Sequence, residues 1–134
     1  MQRSPEIERI AYELVAAIER GDIDTIGRMT ALDGEVVGIG SDPAEYARGF
    51  EENMRLMRES TPEMGAQIHA HLDVVHGYEE GDVGWLDGVG RFEREGESVD
   101  VRMTGVLHRE DGEWRVVQSH ASIGVPNERM FAKT

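Results

Sequence analysis

The sequence contains no cysteine and no long apolar run, and its basic residues are far outnumbered by acidic ones. The lack of cysteine excludes disulfides, thiolate metal ligands and cysteine nucleophiles. With 14 Lys and Arg against 27 Asp and Glu, the formal net charge is −13. Such a charge disfavours binding to nucleic acid or to an anionic membrane surface. The N-terminus has no apolar signal segment, and no stretch is apolar enough to span a bilayer. We therefore expect no nucleic-acid or membrane partner and a cytoplasmic location.

The composition is that of a small globular protein. Hydrophobic residues make up 39% of the 134 positions, which is enough for one packed core. We find no internal repeat, linker or low-complexity tract. The sequence therefore predicts a single domain over residues 1–134.

The first half of the chain has the periodicity of helices. Residues 4–21 begin with Ser-Pro-Glu, carry apolar residues at helical spacing and end in glycine, so they predict a first helix. Asp22 can cap a short second helix. A short strand is predicted near Glu35–Ile39. The Ser-Asp-Pro triplet that follows predicts a third helix from about Pro43 to Glu59.

The second half of the chain alternates apolar and polar residues in steps of two. Short turn sequences rich in Glu, Asp and Gly separate the alternating segments, as expected for β-hairpins. The predicted strands cover residues 67–75, 82–94, 98–109 and 113–123. Helices followed by antiparallel strands predict an α+β fold with the helices on one face of a curved sheet.

Strict alternation divides the strand residues into two faces. The apolar, glycine-rich face is predicted to comprise Ile68, Ala70, Leu72, Val74, Gly84, Leu86, Gly88, Gly90, Phe92, Val101, Met103, Gly105, Leu107, Val117, Ser119, Ala121 and Ile123. The other face is predicted to comprise His69, His71, Asp73, Trp85, Asp87, Val89, Arg91, Asp100, Arg102, Thr104, Val106, His108, Trp114, Val116, Gln118, His120 and Ser122. We expect the first face to lie against the helices. Two tryptophans on the polar face favour its partial burial in a homodimer.

The polar face supplies the candidate catalytic residues Asp73, Asp87 and His120. A carboxylate beside an aromatic such as Trp85 can become a general acid or base, but it can equally form an ion pair with a nearby arginine. His71, Asp73 and His120 could bind a metal, relay protons or simply form hydrogen bonds across an interface. The structural interpretation is favoured, and we predict no metal site. His120 and Ser122 lack the elbow of a serine nucleophile.

An apolar stripe on the predicted third helix faces the glycine-rich side of the sheet. It consists of Tyr46, Phe50, Met54 and Met57. Small sheet residues opposite large helix residues leave either close backbone packing or a cavity. Methionine adapts to irregular space and to ligands, so this stripe is also a candidate pocket wall.

Several of these features together resemble the nuclear transport factor 2-like superfamily, and within it the SnoaL-like proteins. They are the three helices, the Gly-Asp-Ile-Asp turn at 21–24, the Gly-Ser-Asp-Pro at 40–43 and the terminal strand with Trp114 and His120. The last strand is also similar to the end of the association domain of calcium/calmodulin-dependent protein kinase. The resemblance implies a cone-shaped curved antiparallel sheet wrapped around the N-terminal helices, with a pocket at its open end and dimerisation through the sheet.

The functional residues of this superfamily are not reproduced here. Where ketosteroid isomerases have an aspartate base, a tyrosine and a protonated aspartate, this chain has the segment 36–39, Leu14 and Gly105. These departures argue against steroid-type proton abstraction. The arginines that line the pocket of the kinase association domain correspond to Gly90, Gly105 and Ala121, which argues against an anionic ligand.

Three functional hypotheses follow. The first is a binding protein for a small hydrophobic ligand, with no cofactor and a largely apolar pocket. Its candidate ligand-binding residues are Leu14, Tyr46, Phe50, Met54, Met57, Trp85, Met103 and Ser119. The second is a cofactor-free isomerase, cyclase or hydrolase of a polyketide- or steroid-like substrate, with acid–base work by Asp73, Asp87 or His120. The third is a dimeric association module.

Overall fold

A computed structural model describes residues 1–33, 35–64 and 68–131, with backbone only for 61–64. Within these ranges three helices and a seven-stranded sheet form the α+β fold that the sequence predicts. The helices are α1 (Pro5–Arg20), α2 (Ile23–Met29) and α3 (Phe50–Met64). The strands are β1 (Gln2–Arg3), β2 (Val37–Ile39), β3 (Tyr46–Arg48), β4 (His69–Glu80), β5 (Val83–Arg94), β6 (Glu97–Glu110) and β7 (Glu113–Ser122). None of the described helices could cross a membrane.

Local capping chemistry fixes the first two helices where the sequence places them. The Ser4 side chain accepts a hydrogen bond from the Ile7 N–H, and proline occupies the first turn. Gly21 ends α1 in the left-handed region at φ 69°, which glycine adopts without steric cost. The Asp22 side chain then accepts from the Thr25 N–H at 3.1 Å and starts α2. These contacts confirm the predicted boundaries of the first helix.

The third helix begins later than predicted, because the Ser-Asp-Pro segment forms a turn. The Asp42 carboxylate accepts from the Ala44 N–H at 2.8 Å, and the Glu45 side chain accepts from the Asp42 N–H at 2.9 Å. The same side-chain bonds that cap helices also close turns. Here they connect β2 to β3, so Tyr46 lies in a strand and α3 starts only at Phe50. The prediction of helix at Tyr46 was wrong for this reason.

The sheet has the strand order β1-β4-β5-β6-β7-β2-β3 and is curved without closing. Strands β4 to β7 form an antiparallel meander, and β2 pairs in parallel with β7. Two of the hairpins have positive φ at both turn residues, Glu95–Gly96 and Asp111–Gly112. This geometry belongs to the two-residue turns whose twist matches that of the strands they join. The predicted hairpin chain is confirmed.

One face of the sheet, the inner face, packs against the helices. Leu86 and Leu107 lie there in contact with Ile7 and Ala11 of α1. The opposite face is the outer face. No helix of the described residues covers it, and the polar strand residues lie on it. The assignment of His120 to the face away from the helices is confirmed, because His120 pairs with outer-face Thr104.

Two β-bulges overturn part of the predicted alternation. Asp73 is the extra residue in β4, and Val117 is the extra residue in β7. An inserted residue reverses the alternation beyond it. Val74 therefore lies on the outer face, whereas Trp114 and Val116 are buried in the core. The predicted faces of these three residues were wrong.

Two inner-face glycines allow α1 to approach the sheet closely. A β-carbon on Gly84 would overlap the Cδ1 atom of Ile7. A β-carbon on Gly77 would lie 2.9 Å from both the Ser4 carbonyl oxygen and the Glu8 Cγ atom. At this end of the sheet, the small residues therefore give close backbone packing rather than a cavity.

Strand β4 lies near the edge of the sheet, and side chains of α1 cover part of it. β1 pairs only with Tyr78 and Glu79. The Glu19 carboxylate accepts from the Ala70 N–H at 2.8 Å, and the Glu8 carboxylate accepts from the Gly77 N–H at 2.9 Å. Two carboxylates thus take the place of a neighbouring strand at these positions.

Candidate functional site

The helices and the inner face line a small, partly open cavity near α2 and β2. Its volume is about 90 Å³. The apolar residues that line it are Leu14, Ile18, Ile26, Val36, Val37, Met54, Met57 and Val116. The polar residues that line it are Thr30, Asn53 and Ser119. None of these side chains is ionisable, so the described wall is apolar with three neutral polar groups.

Asn53 connects α3 to the β2–β3 hairpin. Its Nδ2 atom lies 2.8 Å from the Gly49 carbonyl oxygen, 3.3 Å from that of Val36 and 3.4 Å from that of Ala47. These acceptors fix the side-chain amide, because the flipped amide would place Oδ1 against three carbonyl oxygens. The Oδ1 atom consequently points toward Gly38, where a β-carbon would overlap it.

The hydroxyl groups of Thr30 and Ser119, the other two polar groups of the wall, differ in their hydrogen bonding. The Thr30 hydroxyl donates to the Ile26 carbonyl oxygen at 2.8 Å. Ser119 lies beside Gly38 in the parallel β2–β7 pair, and a β-carbon on Gly38 would lie 3.7 Å from its Oγ atom. Ser119 Oγ and Asn53 Oδ1 therefore flank the same point of the wall.

Half of the predicted ligand-binding residues line this cavity. They are Leu14, Met54, Met57 and Ser119. Phe50 and Met103 do not line it: Phe50 packs against the small cluster around Ile26 and Met54, and Met103 packs against the larger core.

Tyr46 and Trp85 lie away from the cavity. Tyr46 is 59% exposed in β3 and pairs with Ile39, which in turn pairs with His120 of the outer face. Trp85 stacks on Tyr78 with ring centroids 6.0 Å apart, also on the outer face. These two residues contribute to a different surface from the one predicted.

The three candidate catalytic residues all lie on the outer face. Asp87 is 3.1 Å from the Nδ1 atom of His76, and Asp73 pairs with Arg91 at 3.3 Å. His120 is exposed opposite Thr104. None of the three reaches the cavity. In the described ranges, no group of three or more His, Asp or Glu side chains is arranged to hold a metal ion.

Asp73 also borders a wide groove of about 590 Å³ with Asp100 and Arg102. This groove is open to solvent. Water in such a groove screens the charges of its side chains and competes for their hydrogen bonds. We regard it as surface relief rather than as a reaction site.

Asn53 is the cavity residue that the sequence analysis missed. It lies next to Met54 and one turn from Phe50 and Met57 on α3, so a polar residue beside an apolar stripe was the available signal. An isolated asparagine in a helix is usually solvent-exposed, and only the fold brings it under the β2–β3 hairpin.

Comparisons with known proteins agree with this fold. The family model described as a SnoaL-like domain matches residues 7–126. A solved NTF2-like protein of unknown function from Pseudomonas putida is 19% identical, with 92% of this chain and 87% of that one covered and a TM-score of 0.82.

Two further solved structures are similar in fold. A candidate dehydratase of the NTF2-like family from Streptomyces avermitilis is 20% identical, with 90% and 94% of the two chains covered and a TM-score of 0.77. A candidate calcium/calmodulin-dependent protein kinase type II association domain from Thiobacillus denitrificans is 22% identical, with 91% and 96% covered and a TM-score of 0.75. At these identities the likeness concerns the fold alone.

Proposed function

The chain belongs to the SnoaL-like family, and on that premise we propose that it binds a small, largely apolar molecule in the cavity between its helices and the inner face. The observation that carries this proposal is the apolar wall of Leu14, Met54, Met57 and their neighbours, interrupted by the polar atoms of Asn53 and Ser119. Apolar pockets with a few placed polar groups are typical of small-molecule sites.

The cavity limits the size of the ligand. An apolar cavity of about 150 Å³ accommodates benzene, and sites for drug-sized molecules measure about 300 Å³ or more. At about 90 Å³, the present cavity suits a compact molecule. It does not suit a steroid or a polycyclic polyketide.

Binding is better supported than acid–base catalysis. A general acid or base must come within hydrogen-bonding distance of its substrate. Asp73, Asp87 and His120 lie on the opposite face of the sheet from the cavity, and no described residue of the cavity wall is ionisable.

Methionine-methyl NMR tests the proposed binding. The protein is labelled with ¹³C at its methionine methyl groups and titrated with cyclobutanone, a compact neutral ring. We expect the Met54 and Met57 signals to shift and saturate, whereas the signal of exposed Met130 stays in place. Parallel shifts of all three signals would indicate solvent effects and refute the proposal.

A matched pair of variants adds a steric control. Leu14→Phe fills the cavity and should abolish the shifts. Val15→Phe adds the same ring at the next position of α1, outside the cavity, and should leave them intact. Binding that persists in Leu14→Phe would place the ligand elsewhere.

We also propose that the outer face pairs with that of a second copy of the chain. Tyr78 and Trp85 stack there, and Val74 and Val89 are 45% and 50% exposed in the single chain. A symmetric dimer brings the same patch of two copies together and removes this apolar surface from water. Sedimentation-equilibrium measurements should give twice the chain mass, and a monomer at high concentration would refute the pairing.

A further inference from the structure

We propose that the ligand of this cavity is a neutral molecule with a hydrogen-bond donor, such as an alcohol, that donates to the Oδ1 atom of Asn53. This inference rests on the proposed binding function and specifies its ligand class. It derives from the fixed orientation of one amide and from the absence of ionisable side chains in the described cavity wall.

The Asn53 amide can only accept a hydrogen bond toward the cavity. Its Nδ2 hydrogens are directed at the carbonyl oxygens of Gly49, Val36 and Ala47. Its Oδ1 atom has no hydrogen-bond partner among the described residues and lies over Gly38. The Oδ1 atom is not fully buried, so a ligand that enters the cavity can reach it and donate a hydrogen bond to it.

Gly38 provides the space that this acceptor needs. Any larger residue there would place its β-carbon on Oδ1 and bring it close to Ser119 Oγ. The Ser119 hydroxyl has no partner among the described residues and can both donate and accept. The Ser119 hydroxyl can therefore form a second hydrogen bond with the same ligand group. Because it can either donate or accept, it does not favour a ligand donor over a ligand acceptor.

The wall also discriminates by charge. Of the described residues that line the cavity, eight are apolar and the others are Thr30, Asn53 and Ser119. A carboxylate or ammonium group would lose its hydration without gaining a counter-charge, which costs far more than the loss of one neutral hydrogen bond. The wall therefore disfavours a ligand that bears either charge.

A pair of ring compounds tests the donor directly. Cyclobutanol and cyclobutanone share a carbon skeleton, but only the alcohol donates a hydrogen bond. Titrations followed by the Met54 methyl signal should give a dissociation constant about threefold to tenfold lower for the alcohol. Cyclobutylammonium should produce no shift. In addition, the alcohol should move the side-chain NH₂ resonance of Asn53 more than the ketone does.

Two variants locate the selectivity. Ser119→Ala should weaken the binding of both compounds but retain the preference for the alcohol. Gly38→Ala should remove the preference, because its methyl group covers the Oδ1 atom. If Gly38→Ala fails to fold, the Asn53 resonance in the natural sequence still decides the question.

The experiment distinguishes a failure of the proposed ligand class from a failure of the binding proposal on which it rests. If neither ring compound moves Met54 or Met57, the binding proposal fails. If the ketone binds as tightly as the alcohol, or if cyclobutylammonium binds, the cavity is a binding site but the ligand class stated here is wrong.

Discussion

The two faces of the sheet are built from the same strands and perform different tasks. On the inner face, Leu86 and Leu107 are buried under α1, and glycines allow the helix to approach. On the outer face, aromatic and charged side chains remain in contact with solvent, as in the Tyr78–Trp85 stack and the His76–Asp87 pair. The inner face therefore supplies stability to the single chain, whereas the outer face is available for association.

The largest expected difference between the faces is in stability. Leu107 is 0% exposed on the inner face, and Val83 is 44% exposed on the outer face. Leu107→Ala should lower the free energy of unfolding by about 2–5 kcal/mol, because it removes buried methyl groups and leaves a cavity. Val83→Ala should change it by about 0.5 kcal/mol or less. Urea denaturation measures both, and similar losses would contradict the division into faces.

A second difference concerns association. Trp85→Ser removes the larger ring of the outer-face stack. We expect it to raise the dissociation constant of the proposed dimer about tenfold or more, because tryptophans buried in an interface dominate its binding energy. Tyr12→Ser, at an exposed position of α1, should leave association unchanged. Analytical ultracentrifugation distinguishes the two, and an unchanged dimer in Trp85→Ser would remove the stack from the interface.

The smallest expected effect involves the charged contact between α1 and the sheet. The Gly77 N–H donates a hydrogen bond to the Glu8 carboxylate, and so does the Arg3 guanidinium. The first of these contacts, and then the second, holds the pKa of the Glu8 carboxyl group below its usual range. A lowered pKa in the folded state means that this stabilisation is present at neutral pH and is lost as the pH falls through the folded-state pKa.

Unfolding measured between pH 6 and pH 3 tests this contact. Glu8→Gln should flatten the fall in stability at acid pH. Glu6→Gln is the control, because the Glu6 carboxylate forms no hydrogen bond or ion pair with a described residue, and this variant should retain the slope of the natural sequence. An equally steep fall in Glu8→Gln would assign the acid sensitivity to other groups.

Much of the fold could be predicted from periodicity. The face of the sheet on which each strand residue lies could be predicted only where the strand has no bulge. Strands β5 and β6 pair without a break over Val83–Arg94, and their predicted faces agree with the structure. In β4 and β7 a single extra residue reverses the alternation. Whether a strand contains a bulge depends on its pairing with neighbours, so Trp114 could not be placed by counting along the chain.

The candidate site was predictable only in part. The apolar spacing of Met54 and Met57 correctly indicated a stripe on α3 that packs inward, although its packing partners are residues of α1 and α2. Tyr46 was misplaced because the bonds of Asp42 suit a turn as well as a helix start. Asn53 was missed because the carbonyl groups of Val36 and Ala47 reach it only through the β2–β3 hairpin, and the sequence analysis took the second strand of that hairpin for helix. Tertiary contacts, rather than local propensity, define these positions.

The carboxylates of Glu8 and Glu19, which replace a neighbouring strand along β4, bear on how the chain behaves in storage. Acidification removes the charge that Glu8 presents to the strand, and it also reduces the mutual repulsion of a strongly anionic protein. Both changes favour pairing of the exposed edge of β4 in one molecule with a strand of another molecule. Preparations kept well above the isoelectric pH of about 4.7 should therefore stay clear, whereas acidic buffers should promote fibrous precipitates that start at this edge.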